Sequence, residues 1–456
     1  MAEGAHIASL LLFLCGSLYI FGMVRKTSER FGNSIVIGRN ELIESCRDVV
    51  LKAGDRRHHC YVIGKTGTGK STLLVNMLVQ DIRAGCGVCF VDPHGESAEA
   101  LLEYIPKNRI KDVVYFDPAD SEHPPGLNLL EVDDEANTQL AASSLISIFR
   151  HLFRDFWGPR TEHVLRNSIL ALMSSPGHTI LDLYRLLVDA DFQKCILRHV
   201  SDPFVKSFWR DEFGEYNDRF RAEVIAPLQN KLGQLVTNPL VRNIVGQSNS
   251  TFNVRRIMDE GNILIVNLAK GRVGEDASNL LGSLITTQCF LAALARENIP
   301  PERRRDFYLY VDEFYNFSTD IFPSILSEAR KYCLNLILAH QYMHQLTPDT
   351  KFAVLGNVGT LIAFRIGAAD AEELEPEFKP NYDIEQLRKQ DNHEIYFKLL
   401  ADGKPAEPSF ARTAPLPGHW TVSEATKEEV VMKSKKRFTK NREEVEREIT
   451  ERLKAK

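Results

Sequence analysis

Cationic excess is the first thing this chain lacks. Its 61 aspartates and glutamates outnumber 56 lysines and arginines, a net charge of −5 over 456 residues, so it shows no overall basic footprint of the kind nucleic-acid binders usually carry. A disulfide framework is missing as well. Eight cysteines, at 15, 46, 60, 86, 89, 195, 289 and 333, are scattered mostly inside apolar runs, which fits a reducing compartment. Cys86-Gly-Val-Cys89 enters an apolar strand with no second CxxC or histidine pair behind it, so core packing is expected there rather than metal or redox chemistry. Internal repeats and low-complexity tracts are absent. What is present is 44% hydrophobic and 26% charged sequence, enough to bury a large core in two or three units.

One long apolar run stands near the start. "IASLLLFLCGSLYIFGMV", Ile7 to Val24, carries no charge, and as a helix it spans about 27 Å, close to the hydrocarbon thickness of a bilayer. Residues 1–30 are therefore expected to be a transmembrane anchor. "MAEGAH" before the run has an acid and no lysine or arginine, whereas Arg25, Lys26 and Arg30 follow it. The positive-inside rule then puts the body in the cytoplasm, at the inner membrane; a cleaved signal peptide has the opposite flank.

Beyond the anchor, "SIVIGR" and "DVVLKAGDRRHH" read as a small β lead-in. "CYVIG", "GVCFVDPHGE", "DVVYFDPAD", "NILIVNL" (262–268), "FYLYV" (307–311), "LNLILA" (334–339) and "GTLIAFRIG" (359–367) then read as strands, with helices among them. That alternation predicts an α/β fold on a mainly parallel sheet with both faces covered. It occupies residues 31–133 and 260–412 as one interrupted domain. Between them, 134–259 show helical spacing such as Leu165, Ile169 and Leu172, an all-helical insertion. A proline-rich stretch, "GKPAEPSFARTAPLPGHW", ends the packed body, and 413–456 form a charged helical tail. The basic knot of that tail, Lys433 to Arg442, is expected to be a solvated face.

Within this frame "GKTGTGKS", Gly64 to Ser71, follows a predicted strand and opens a predicted helix, the context a P-loop requires. Gly64, Lys65, Thr66, Gly67, Thr68, Gly69, Lys70, Ser71 and Thr72 are the expected phosphate cradle: glycines turn backbone N–H groups inward, and the helix adds the positive end of its dipole. Lys70 supplies a point charge for the β- and γ-phosphates, and the Ser71 hydroxyl is placed to ligate Mg²⁺.

"FYLYVDEFYNF", Phe307 to Phe317, ends an apolar strand in two acids, which need partners if they are not to lie uncompensated against a core. Parallel strands end on one edge, so Asp312 can face the loop holding Lys70. Asp312 is then a metal-side residue, holding the Mg²⁺ water shell, and Glu313 the carboxylate that polarises the attacking water. Gln341, at the tip of "LNLILAHQ", could sense the γ-phosphate or orient water. Asp92-Pro-His-Gly95 imitates a GTPase DxxG, but no N-K-x-D stands on a later strand, and ATP is the expected nucleotide.

Together "DRRHHCYVIGKTGTGKSTLL", "GVCFVDPHGE", "NILIVNLAKGRVGE", "FYLYVDEFYNF", "SEARKYCLNLILAHQYMHQL" and "GTLIAFRIG" resemble the TraG/TraD-like coupling ATPases of type IV secretion and conjugation, within the FtsK–HerA superfamily of DNA pumps. The resemblance runs over roughly residues 34–412. It implies a RecA-like motor, usually a hexameric ring at the inner membrane, hydrolysing ATP to drive single- or double-stranded DNA through its pore. A relaxase and secretion-channel components are the implied partners. In a ring, phosphate contacts need only line the pore, which reconciles DNA with an acidic chain. Arg330, in the helix after the acid pair, is similar in placement to the arginine such motors project into a neighbour's nucleotide, with Arg365 as its rival. Arg154, Trp157, Arg160 and Arg166 could touch DNA or simply face solvent. Two departures stand out: these coupling proteins often carry two membrane helices around a small outer domain, and only one is found here, which bears on docking to a channel; and the helical insertion holds no motif of its own. The same motor moving protein cargo, or a nucleotide-binding scaffold with little turnover, are the competing functions.

Overall fold

The computed structural model describes residues 34–40, 46–132, 138–152, 157–416 and 426–454; the apolar run at 7–24 lies outside them. Thirteen strands occur in the described residues: β1 (Ile35–Asn40), β2 (Arg47–Leu51), β3 (Cys60–Ile63), β4 (Gly87–Asp92), β5 (Val113–Phe116), β6 (Ile263–Asn267), β7 (Phe307–Val311), β8 (Leu334–His340), β9 (Thr360–Ala363), β10 (Glu394–Lys398), β11 (Leu400–Ala401), β12 (Lys404–Pro405) and β13 (Ser409–Arg412). Eleven of them form one sheet in the order β2-β1-β13-β10-β9-β3-β8-β7-β4-β6-β5.

From β9 to β5 every neighbouring pair is parallel. Those strands are buried along almost their whole length, which is why they read as unbroken apolar runs rather than alternating ones. The remaining pairs, from β9 through β10, β13 and β1 to β2, are antiparallel. The sheet is thus mixed and mainly parallel. The lead-in strands β1 and β2 form its antiparallel flank, and the proline-rich stretch at the end of the body contributes β13 to the sheet.

Two apolar layers cover the sheet. On one face Leu73, Leu74, Met77, Leu78 and Ile82 of the helix Lys70–Arg83 pack on Val62, Phe90 and Ile337. On the other, Leu280, Leu281, Leu284 and Ile285 of the helix Glu275–Leu294 join Phe314, Phe317 and side chains such as Leu145 and Phe149 from the helices that follow β5. Among the described residues, Glu275–Asn298 is the one helix long and apolar enough to cross a membrane, yet 78% of its apolar window is buried in the protein, the mark of a core helix. Between β5 and β6 the described residues form helices and turns and no strand.

The tail helices dock on the body by their apolar side. Val430 of the helix Lys427–Phe438 is buried, and Ser434 Oγ accepts the Tyr115 N–H of edge strand β5 at 2.7 Å. Val445 and Ile449 of the helix Arg442–Lys454 are buried as well, and Arg452 donates to Ser248, Thr179 and the Gly246 carbonyl between 2.8 and 2.9 Å. The basic knot keeps to the solvent side: Lys433, Lys436 and Arg437 are exposed, and Lys435, Lys440 and Arg442 form half-exposed pairs with Asp120, Glu448 and Glu122.

Candidate active site

The carboxyl ends of β3, β8, β7 and β4 open on one edge, where this class of fold places its ligands. Leaving β3, Gly64 donates to the His340 carbonyl at 3.3 Å and Lys65 to the Arg365 carbonyl at 2.9 Å, so the loop is pinned to the exits of β8 and β9. Gly67 and Gly69 then take φ of 76° and 116°, conformations that glycine tolerates and other residues rarely adopt. A Cβ on Gly69 would stand 2.7 Å from His393 Nδ1. His393 closes the outer side of the loop, its N–H donating to the Thr68 carbonyl at 2.8 Å.

Lys70 opens the helix Lys70–Arg83 and is buried. Its ammonium donates to the carbonyls of Gly64 at 2.5 Å and Lys65 at 3.2 Å, on the floor of the loop. Burial pulls its pKa below the usual lysine value, and the Glu313 and Asp312 carboxylates oppose that pull. Next to it Ser71 Oγ donates to Asp312 Oδ2 at 3.1 Å. These residues are 241 positions apart in sequence and meet because β3 and β7 flank β8 in one parallel register.

Asp312 is buried, and its pKa is pushed up to about 6, first by that burial, then by the neighbouring carboxylates of Asp92 and Glu313, with Lys70 and Ser71 acting the other way. Glu313 sits at φ 45°, ψ 49°. Its N–H donates to Asp312 Oδ1 at 2.9 Å, its Oε1 accepts Gln341 Nε2 at 3.0 Å, and its buried Oε2 has no hydrogen-bond partner among the described residues. Behind them His340, at the tip of β8, is fully buried. Its pKa falls to about 3 through burial and the Lys70 charge, so the imidazole is neutral there.

The structure therefore brings Gly64 to Ser71, Asp312, Glu313 and Gln341 to one edge, with Thr72 in the first turn of the helix behind. It does not bring Arg330 there. That residue lies in the turn Ala329–Tyr332 ahead of β8, exposed, with Nη1 on His58 Nδ1 at 3.1 Å. Arg365 flanks the P-loop of its own chain, but its guanidinium is engaged by the Gln390 carbonyl at 3.1 Å and Asn392 Oδ1 at 3.2 Å. Asp92 is consumed locally as well, accepting the N–H groups of His94 and Ala98 at 2.8 and 2.9 Å, so DPHG caps a helix. Of the residues held in reserve for DNA, Trp157 and Arg166 both turn to Glu162, Arg160 lies over the Phe220 ring, and Arg154 is outside the described residues.

His393, His340 and Asn316, whose side-chain amide donates to the Glu313 carbonyl at 2.9 Å, were not singled out in the sequence. Asn316 stands in the same aromatic run as the acid pair; nothing in sequence points His393 at a loop more than three hundred positions earlier.

What the edge can hold follows from its donors. A cradle in which Gly64 and Gly69 leave no room for a Cβ, a buried ammonium and a helix N-terminus suit phosphate oxygens. A hydroxyl beside a carboxylate is a hard oxygen pair of the kind that would hold Mg²⁺. Among the described residues no three His, Cys, Asp or Glu side chains cluster to hold a metal unaided, and the seven described cysteines are free.

The sequence profile of the type IV secretion-system coupling protein DNA-binding domain matches residues 45–391. No curated protein matches the chain by sequence. Among solved structures, the bacterial conjugative coupling protein TrwBdeltaN70 superposes with a TM-score of 0.59 at 14% identity, covering 81% of this chain and 89% of that one. The plasmid coupling protein TrwB in complex with ADP and Mg²⁺ gives 0.55 at 13% identity over 80% and 87%. VirB4 of Thermoanaerobacter pseudethanolicus gives 0.58 at 16% identity over 84% and 96%. At such identities the superpositions speak for the fold.

Proposed function

This chain belongs to the type IV secretion-system coupling protein family, and on that footing we propose that it is a membrane-anchored, ATP-hydrolysing motor that drives DNA into a secretion channel. The observation that carries the hydrolytic part is the 3.1 Å hydrogen bond from Ser71 to Asp312, which sets a metal-ligating pair beside Lys70 and Glu313. The family supports the DNA part, and the solved TrwB complex with ADP and Mg²⁺ supports the choice of ligands.

In this reading the loop Gly64–Gly69 and the N-terminus of the following helix bind the phosphates of ATP, and Lys70 exchanges its carbonyl partners for β- and γ-phosphate oxygens. Ser71 and Asp312 are the residues that would hold Mg²⁺, which when bound neutralises phosphate charge. Glu313 Oε2, buried and without a partner among the described residues, is the atom that accepts a proton from the attacking water, while Gln341 keeps the carboxylate aimed by holding Oε1. Hydrolysis then yields ADP and phosphate, with that proton on Glu313 until it returns to solvent.

Arg330 cannot serve its own site from the opposite edge of the sheet. It acts in trans in a ring of copies, a hexamer in this reading, so that turnover depends on subunit contact. Residues 7–24 anchor the chain in the inner membrane with the motor in the cytoplasm, where a relaxase delivers the DNA.

The test is steady-state ATP hydrolysis by the full chain in detergent, with and without single- and double-stranded DNA, across a salt series. The motor requires stimulation that fades as salt rises. Turnover indifferent to DNA shifts the cargo to protein; negligible turnover, unchanged by Glu313→Gln, leaves a nucleotide-binding scaffold.

A further inference from the structure

Glu313 occupies the left-handed region, φ 45° and ψ 49°, where a residue with a side chain stays only if its surroundings hold it. Two sets of contacts do so here. Its N–H donates to Asp312 Oδ1 at 2.9 Å. Its carbonyl accepts two bonds from Asn316, from the backbone N–H at 3.1 Å and from Nδ2 at 2.9 Å.

Asn316 is buried, and the other end of its amide faces Lys270, whose ammonium donates to Oδ1 at 2.8 Å. Lys270 belongs to the "NLAKG" segment that leaves β6, a motif to which phosphate binding and hydrolysis give no task. Its backbone is fixed independently: the N–H donates to the Pro93 carbonyl at 3.0 Å, and Leu268 donates to the Asp92 carbonyl at 2.9 Å. The ammonium's other neighbour, Glu275, is more distant at 3.7 Å and exposed.

An amide side chain can present either end to a given partner, but a lysine ammonium only donates. Lys270 therefore dictates that Oδ1 faces it, which leaves the NH₂ group for the Glu313 carbonyl. The consequence is a relay from an anchored lysine, through one amide, to the peptide that carries Glu313.

We propose that Lys270 and Asn316 are positioning residues for the hydrolytic step, holding the strained turn at Glu313 so that its free carboxylate oxygen points at the attacking water. This rests on the reading of Glu313 as the residue that activates water. Neither residue touches the phosphates in that reading, so their effect belongs to kcat rather than to nucleotide binding.

The experiment measures kcat, KM, binding of a fluorescent non-hydrolysable ATP analogue and thermal melting for the full chain carrying Asn316→Ala, Asn316→Asp, Lys270→Met or Lys270→Arg. Asn316→Asp is the sharp variant. It keeps size and an acceptor for Lys270 but presents a carboxylate oxygen to the Glu313 carbonyl. Asn316→Ala, Asn316→Asp and Lys270→Met should lower kcat by about tenfold or more, the scale of losing orientation at a reacting group, with KM and analogue affinity within about twofold of wild type. Lys270→Arg, still a donor, should retain most of the activity.

In a Glu313→Gln background Asn316→Ala should cost less than about twofold, because the residue it positions is already disabled. A merely structural role would instead lower the melting temperature and cost the same in both backgrounds. A folded Asn316→Asp protein with wild-type kcat, or equal losses in the two backgrounds, overturns the proposal while leaving ATP hydrolysis intact. A wild-type chain that binds the analogue and shows no turnover overturns the hydrolytic reading and this one with it.

Discussion

Arg330 Nη1 and His58 Nδ1 stand 3.1 Å apart at the edge of the sheet opposite the P-loop. Strand β8, which separates Arg330 from Gln341, has seven residues and spans roughly 20 Å at the usual rise per residue. The arginine whose placement suggests a finger is therefore presented outward, away from the site of its own chain.

Arg330→Ala should accordingly leave analogue binding intact and reduce turnover by about 10³-fold, the range reported for fingers supplied across an interface. Mixing it with Glu313→Gln should restore part of the activity, because some interfaces then join an intact glutamate to an intact arginine. Arg365→Ala should cost far less, its guanidinium being committed to Gln390 and Asn392. The reverse pattern would exchange the two assignments.

Gln341→Ala frees Glu313 Oε1 from its partner at 3.0 Å. The expected result is a kcat lower by about tenfold with KM nearly unchanged, since the amide positions the carboxylate without binding substrate. An unchanged kcat would make Gln341 a strand-end cap.

Much of the fold was legible in the sequence, for a reason specific to its parallel half. β3, β4, β6, β7 and β8 are covered on both faces, so their strings are apolar throughout. β10 alternates buried Ile395 and Phe397 with more exposed neighbours, and β13 lies within the proline-rich stretch, so neither stands out as an apolar run. Asp402-Gly403 was the missed signal. Both residues have positive φ and join β11 to β12 in a two-residue hairpin, a turn that favours this dipeptide. The docking of the tail was not legible because the partners of its helices, such as Glu122 and Asp120, lie some three hundred positions away. In the site, Lys70, Ser71, Asp312 and Glu313 follow from motif and strand-end geometry, whereas Asn316 and His393 depend on loop paths that no local pattern encodes.

His59 supplies a pH prediction. The Leu336 N–H donates to its Nδ1 at 3.1 Å, and its Nε2 donates to the Leu326 carbonyl at the same distance, so both nitrogens are used in the neutral form. Burial, foremost, lowers its pKa to about 4, against about 6.5 in the unfolded chain. Between those values the unfolded chain binds the extra proton, so this contribution is fully present above pH 6.5 and is lost as pH falls through 4. It amounts to about 3 kcal/mol in order of magnitude. Melting temperature should decline across that window, and His59→Asn should start lower at pH 7.5 but decline less steeply. Parallel declines would remove His59 as the cause.

Arg452→Ala tests the docked tail. The guanidinium lies 3.6 Å from the buried carboxylate of Asp182 and caps Ser248, Thr179 and Gly246. Its loss should destabilise the fold by roughly 1–3 kcal/mol, because three hydrogen bonds go and the buried Asp182 carboxylate loses one compensating charge while keeping Thr179 and His178. A melting temperature equal to wild type would mean that the tail contributes little in solution.

The decisive measurement is a crystal structure of the chain with Mg²⁺ and a non-hydrolysable ATP analogue. Lys70 should leave the Gly64 carbonyl for the β- and γ-phosphates. Ser71 Oγ should lie about 2.1 Å from the metal, with Asp312 on its water shell and Glu313 beside the γ-phosphate. Phosphates bound elsewhere, or Asp312 and Glu313 turned away from the metal, would contradict a motor built on this edge.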